Sequence, residues 1–209
     1  MSTNVHGNAS AAGATPLERS FFGRDPQPVA RELLNKVLVV TDADGPMVQG
    51  RIVETEAYGG SDDPGSHGYR GITPRTEIMF GPPGYLYVYF TYGMHWCANV
   101  VTGSDGDCSA VLLRAVDPLA GIEVMRSRRM AKPRKSPLRD RDLCNGPAKL
   151  CQAFAIDGAD DGRDLMDGRV TIVDDGVAPP PEPGNSTRIG LSPTAGADIA
   201  WRWFVAPAR

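Results

Sequence analysis

Hydrophobic and polar positions alternate along several short stretches of the chain, each bounded by Gly, Pro, Asn or Asp. Runs of period two predict half-buried strands. Val37 to Val40 and Met47 to Tyr58 flank the turn residues Asp42-Ala43-Asp44-Gly45, so they predict a strand and its return. Tyr85 to Phe90 and Trp96 to Thr102 flank a second turn at Thr91 to Met94, and Cys108 to Val116 is a nearly continuous apolar strand broken by Ser109 and Arg114. Val170 to Val173, Arg188 to Leu191 and Trp201 to Val205 predict three shorter strands. Helical spacing marks Pro28 to Lys36, with Ala30, Leu33 and Leu34 on one face and a proline at the start, where the missing N–H does no harm. Gly121 to Met130 and Pro147 to Ile156 also predict helices. Gly59 to Arg75 is a long Gly/Ser/Asp/Pro loop of a length that is often functional. The prolines of Val177 to Gly184 predict a stiff surface connection. Strands joined by short turns favour antiparallel pairing, and helices grouped between them predict an α+β domain rather than a parallel dinucleotide-binding sheet. No glycine-rich dinucleotide or phosphate loop is present.

Composition narrows the picture. The 209 residues are 41% hydrophobic, which suits one ordinary domain or at most two small ones. Met1 to Pro16 is Ser/Ala/Asn/Gly-rich and predicts a disordered tail rather than a signal peptide, leaving residues 17–209 as the folded domain. No stretch reaches the roughly 20 apolar residues of a membrane span, so no membrane partner is expected. The four cysteines form no CxxC pair and predict buried free thiols in a reducing, cytoplasmic compartment. The three histidines, His6, His67 and His95, lie far apart, and neither metal nor cofactor is expected. A net charge of −3 argues against nucleic acid until its distribution is read. Arg126, Arg128, Arg129, Lys132, Arg134, Lys135, Arg139, Arg141 and Lys149 are opposed there only by Asp140 and Asp142, and the chain turns acidic from Asp157. Such a stripe can hold phosphates or can be a solvated basic loop.

Side chains alternate along a strand, so Glu54, Glu56 and Tyr58 share one face. Two carboxylates on one face are costly unless solvated, paired or used. Tyr85, Tyr87 and Tyr89 alternate onto one face of another strand. Aromatic stripes are usually core, but three hydroxyls each need a partner, and such a surface also stacks nucleobases. Tyr92 precedes Gly93 in a turn, where an exposed ring can wedge between base pairs or fold back on the sheet. Arg114 interrupts an apolar strand and needs a carboxylate, with Glu56 or the strand-end Asp117 as candidates.

The segments Val53 to Tyr58, Gly84 to Tyr89, Tyr92-Gly93-Met94, Val111 to Ala115 and Leu143 to Leu150, in that order and spacing, resemble the alkyladenine (3-methyladenine) DNA glycosylase family. The resemblance runs from about Ala30 to Val205. It implies a single mixed domain on a curved, mainly antiparallel sheet flanked by helices, and an enzyme acting on duplex DNA with damaged purines. By motif position it implies Glu56 as the general base and Arg114 as a holder of the attacking water, with the Ile189 carbonyl as a third water contact. Tyr58, His67 and Tyr89 become walls for the flipped base, Asn99 the pocket floor, and Tyr92 the side chain filling the gap in the duplex. Met94, His95 and Lys149 are candidate contacts to the DNA backbone, and so are Arg126, Arg128 and Arg129 on the basic stripe alone, since no family motif anchors Arg126 to Arg141. His95 stands where many relatives carry an aromatic residue.

The chemistry expected is hydrolysis of the N-glycosidic bond by a monofunctional, monomeric base-excision-repair enzyme that leaves an abasic site. No lysine accompanies Glu56, so water is the expected nucleophile. Two other readings use the same residues: a hydrolase of free nucleosides, which has no use for Tyr92, and a non-catalytic nucleic-acid-binding module that stacks bases on the tyrosines.

Overall fold

A computed structural model describes residues 13–42, 45–130 and 137–206. Nine strands form one open, antiparallel sheet. They are β1 (Thr15–Pro16), β2 (Val37–Thr41), β3 (Met47–Tyr58), β4 (Leu86–Thr91), β5 (His95–Thr102), β6 (Ser109–Ala120), β7 (Val170–Asp174), β8 (Gly184–Ser186) and β9 (Arg202–Phe204). The main order is β1-β7-β2-β3-β6-β5-β4. Four helices accompany it: α1 (Arg19–Phe22), α2 (Pro26–Glu32), α3 (Ile122–Arg129) and α4 (Pro147–Phe154). The α+β architecture expected from the alternation of strands is therefore present.

The two long strands dictate the rest. β3 is bulged at Glu54, with register shifts on either side of that residue in its pairing with β6. An extra residue bends a strand and raises its local twist. β2 pairs with Met47 to Arg51 of β3, and β9 pairs with Glu54 to Glu56 beyond the bulge. A single strand thus carries two successive partners besides β6.

Strand period two sorts the sheet into two faces. Ala57, Leu86, Val88, Ala98, Val100, Val111 and Leu113 are buried in the main core with Val29, Ala30 and Leu33 of α2 and Leu150, Cys151 and Phe154 of α4. Thr55 belongs to the same side, and its hydroxyl donates to the Ala30 carbonyl at 2.8 Å. The intervening residues form the other face. Glu56 pairs with Leu112, Leu112 with Asn99, and Asn99 with Tyr87, a row running across four strands. Loop residues after β3 and the segment 187–196 stand over this second face.

Several boundaries move. The first long helix begins at Pro26 rather than Pro28 and ends at Glu32. Its opening turn has no internal partners for its N–H groups, so it accommodates both prolines. Thr15 and Pro16, placed in the tail by composition, pair with Asp174 and Val173 of β7. Tyr85 lies outside β4, bridging Asp164 while its carbonyl accepts from the Val101 N–H of β5 at 2.9 Å. Arg188 to Leu191 is not a strand. Its Ile189 amide binds a side chain rather than a neighbouring strand, and Gly190 follows at φ 85°, a left-handed turn that ends any extended run. The Asp42 to Gly45 turn and the basic segment around Lys132, Arg134 and Lys135 fall wholly or partly outside the described residues.

Candidate active site

Glu56 is fully buried, yet it opens onto no apolar core. Its Oε2 accepts from the Tyr58 hydroxyl at 2.8 Å and from Arg114 Nη1 at 3.0 Å. Its Oε1 accepts from the Ile189 backbone N–H at 2.7 Å. Strand register explains the convergence. Glu56 and Tyr58 sit two residues apart on β3, and Arg114 sits two residues beyond Leu112, the cross-strand partner of Glu56. Arg114 also donates from Nε to Glu54 Oε1 at 2.8 Å. Both carboxylates on that face are thus paired, by one guanidinium, and Asp117 is not its partner. A buried charge is tolerable only when paired and hydrogen-bonded in this way.

Beside Glu56 lies a cavity of about 310 Å³ whose walls include Tyr58, His67, Tyr87, Tyr89, Asn99, Arg114 and Ile189. That volume is in the range of small-ligand sites. Tyr87 and Tyr89 stack at 5.5 Å with 28° between their planes, and the His67 ring meets Tyr89 edge-on at 4.5 Å. His67 Nδ1 lies 2.9 Å from the Tyr87 hydroxyl. Asn99 Nδ2 donates to the Tyr87 carbonyl at 3.1 Å, which orients the amide at the cavity floor. Burial and the Arg75 cation push His67 down to about 4, so the ring is neutral at physiological pH and carries one donor and one acceptor nitrogen. Burial and the Glu56 charge push the Tyr58 hydroxyl above its ordinary range, which keeps it a proton donor to Glu56.

Tyr92 stands at the cavity rim and is 82% exposed. Tyr92 at φ 50° and Gly93 at φ 65° occupy the middle of the turn closed by the Met94 N–H on the Thr91 carbonyl. Two successive left-handed residues match the strand twist of a tight hairpin. Glycine adopts that backbone freely, whereas tyrosine does so at a cost of about 1 kcal/mol or more, a strain typical of functional positions. Phe90 and Trp96 contact each other at 4.8 Å in the stem below. Met94 and His95 are exposed beside Tyr92 and share a surface groove with Arg129.

The basic residues divide. Arg126 is held by Glu123, Asp140 and the Leu138 carbonyl. Arg128 binds Asp42 at 2.6 Å and the Ala153 carbonyl at 3.1 Å. Both are half-buried and hold neighbouring segments to α3. Arg129 binds Gln152, and Lys149 binds Asn145, both at exposed positions. Ile189 is brought to Glu56 by its N–H, which places the residue beside the carboxylate.

Other residues of the site carried little or no signal in the sequence. Tyr87 was visible only as one of three alternating tyrosines. Met79, Cys97, Leu112 and Pro147 line the cavity and read as ordinary apolar residues. Asp63 and Arg188 form a fully buried ion pair across 125 positions of chain, which no local pattern announces. The four cysteines are buried and free. Among the described residues no three His, Cys, Asp or Glu side chains cluster as a metal site, and no helix is long and apolar enough to cross a membrane.

The sequence model of the family described as Methylpurine-DNA glycosylase (MPG) matches residues 20–209. The chain belongs to the methylpurine-DNA glycosylase family. It is similar to a Burkholderia cenocepacia (strain HI2424) protein at 53% identity over 193 residues, covering 91% of this chain and 88% of the other. A Streptomyces avermitilis relative is 45% identical over 199 residues, 94% of this chain and 90% of its own. A Carboxydothermus hydrogenoformans relative is 46% identical over 190 residues, 90% and 94% respectively. All three are provisionally named 3-methyladenine DNA glycosylase. Membership of the methylpurine-DNA glycosylases decides against the free-nucleoside and non-catalytic readings.

Proposed function

We propose that this chain excises alkylated or deaminated purines from duplex DNA, with Glu56 as the general base for an attacking water. Residues 17–209, together with the β1 residues Thr15 and Pro16 that pair onto β7, are the catalytic unit, working as a monomer on chromosomal DNA inside the cell. The observation that carries the assignment is the state of Glu56: a buried carboxylate with three donors, beside an aromatic cavity whose rim bears an exposed tyrosine.

A carboxylate offers about four acceptor positions, and three of them are filled. In this reading the remaining one, on Oε1, takes the attacking water. In the reaction the bond from C1′ to the base nitrogen breaks and its electron pair leaves with the base. The sugar passes through an oxocarbenium-like state, and water adds at C1′ while Glu56 accepts its proton. The carboxylate charge also stabilises the developing cation of the sugar. Arg114 fixes the rotamer of Glu56 and its own rotamer is fixed by Glu54.

Base extrusion costs a few kcal/mol, less for a damaged and poorly stacked base. Tyr92 fills the vacancy in the duplex, while Tyr58, Tyr89 and neutral His67 take the extruded base. Alkylated purines that carry positive charge are drawn to the ring faces and already have a weakened glycosidic bond. Asn99 at the floor excludes normal guanine by a clash with its exocyclic amine. Met94 and His95, with Arg129 in the adjoining groove and Lys149 near Pro147, contact the DNA backbone; Arg126 and Arg128 act through the packing of α3.

Base release from duplexes carrying 3-methyladenine, 7-methylguanine, ethenoadenine or hypoxanthine, with Glu56→Gln as control, tests the assignment. Borohydride is expected to trap no protein–DNA adduct. A trapped adduct would sink the water mechanism.

A further inference from the structure

The strongest feature that catalysis leaves unused is the ion pair between Asp63 and Arg188. Both side chains are fully buried, with Arg188 Nη1 at 2.5 Å and Nη2 at 2.7 Å from the two carboxylate oxygens. Buried pairs of this kind add little net stability over well-packed apolar residues, so their geometry rather than their strength calls for an explanation. Here the geometry ties together four parts of the site. Arg188 precedes Ile189, whose N–H holds Glu56. Its Nη1 donates to the carbonyl of Ala57, the residue after Glu56, at 3.1 Å. Its guanidinium lies 4.7 Å over the Tyr58 ring. Asp63 in turn accepts from the Gly59 N–H at 3.0 Å and the Gly65 N–H at 2.9 Å, shaping the loop that delivers His67. The fit is close: a Cβ on Gly65 would come within 2.7 Å of Arg188 Nη2 and 2.9 Å of the Ala195 carbonyl.

We propose that Asp63 and Arg188 are positioning residues of base excision: their clasp sets the Ile189 amide against Glu56 and the Tyr58 ring beneath the extruded base. Neither touches the reacting atoms. The clasp replaces the strand pairing that segment 188–191 lacks, and it fixes a backbone donor that would otherwise follow the motions of two loops. The proposal rests on the function assigned above to Glu56.

Arg188→Lys keeps the charge but loses the two-pronged fit to Asp63, since an ammonium is a single point donor. The expected result is a folded protein that binds abasic-site duplex within about twofold of wild type but releases base in single turnover about tenfold more slowly. In the Glu56→Gln background the same change is expected to have no further effect on residual release, because the clasp acts through Glu56. The Ile189 amide hydrogen is expected to exchange faster in Arg188→Lys while core amides of β5 and β6 keep their protection. Gly65→Ala, which leaves both charges in place, supplies the same three readouts if the lysine variant does not fold. Wild-type rates with an unchanged Ile189 amide would overturn the proposal, as would parallel loss of rate, affinity and core protection. If wild-type protein releases no base from any lesion, the functional assignment fails, whereas the Ile189 exchange still reports on the clasp.

Discussion

The two faces of the sheet are made from the same strands and differ by a shift of one residue, yet they obey different rules. On the helix side, Leu113, Val111, Ala98 and Val100 meet α2 and α4 in a close-packed layer with no charge among them. On the cavity side, Leu112, Arg114, Cys97 and Asn99 share space with Glu56 and three tyrosines. The first face tolerates any side chain of suitable volume, because burial is non-directional. The second needs particular atoms in particular places, because each buried polar group must find its partner. The helix face provides the rigidity that lets the other face hold a charge.

Four experiments can break or sharpen this contrast. Glu56→Gln is expected to lower single-turnover base release by roughly 10²- to 10⁴-fold while leaving abasic-site binding near wild type. Equal loss of rate and binding would move Glu56 to the structural side of the comparison. Adjacent truncations on β6 set the two faces directly against each other. Leu113→Ala, in the helix-side core, is expected to cost roughly 2–5 kcal/mol in denaturant unfolding with little change in the rate of folded enzyme. Leu112→Ala only enlarges an existing cavity, so it is expected to cost less stability and to blur discrimination among lesions, read as the ratio of release rates. Tyr92→Ser is expected to weaken binding to lesion duplexes about tenfold, since stacking one base on an aromatic ring contributes roughly 1–3 kcal/mol, and to leave unfolding unchanged. The smallest effect concerns pH. An unfolded His67 binds its proton at 6.5 and the folded one only near 4, so stability falls as pH drops through that window and levels off below it. The exposed edge of the ring lets solvent screen the effect, and His67→Gln is expected to flatten the slope slightly between pH 6.5 and 4.

The helix face was legible in the sequence, and so was half of the other. Strand period two located Met47 to Tyr58 to the residue and grouped Glu54, Glu56 and Tyr58 correctly, because alternation is a local property. Arg114 announced a partner by standing in an apolar run, but choosing Glu56 over Asp117 needed the bulged register of β3 against β6. Asp63 and Arg188 were silent, since a pair separated by 125 positions leaves no trace in either neighbourhood. The basic stretch showed its charge but not all its pairing: Arg126 meets Glu123 and Asp140 close by in the chain, whereas Arg128 meets Asp42 from 86 positions away, which local charge cannot foresee. The assignment of Arg188 to Leu191 as a strand failed because hydrophobicity does not show where a backbone N–H will find its acceptor.

The division of β3 between two successive neighbours has a consequence for biosynthesis. Ile189 and β9, which pair with Glu56 or beside it, leave the ribosome some 130 residues after it. During that interval the edge of β3 beyond the bulge has no partner, and the Glu56 carboxylate lacks one of its three donors. A nascent chain can therefore pair β2, β3 and β6 well before Glu56 has its full set of donors. A product truncated before residue 188 would keep every β3 residue yet present Glu56 with only two of its three donors.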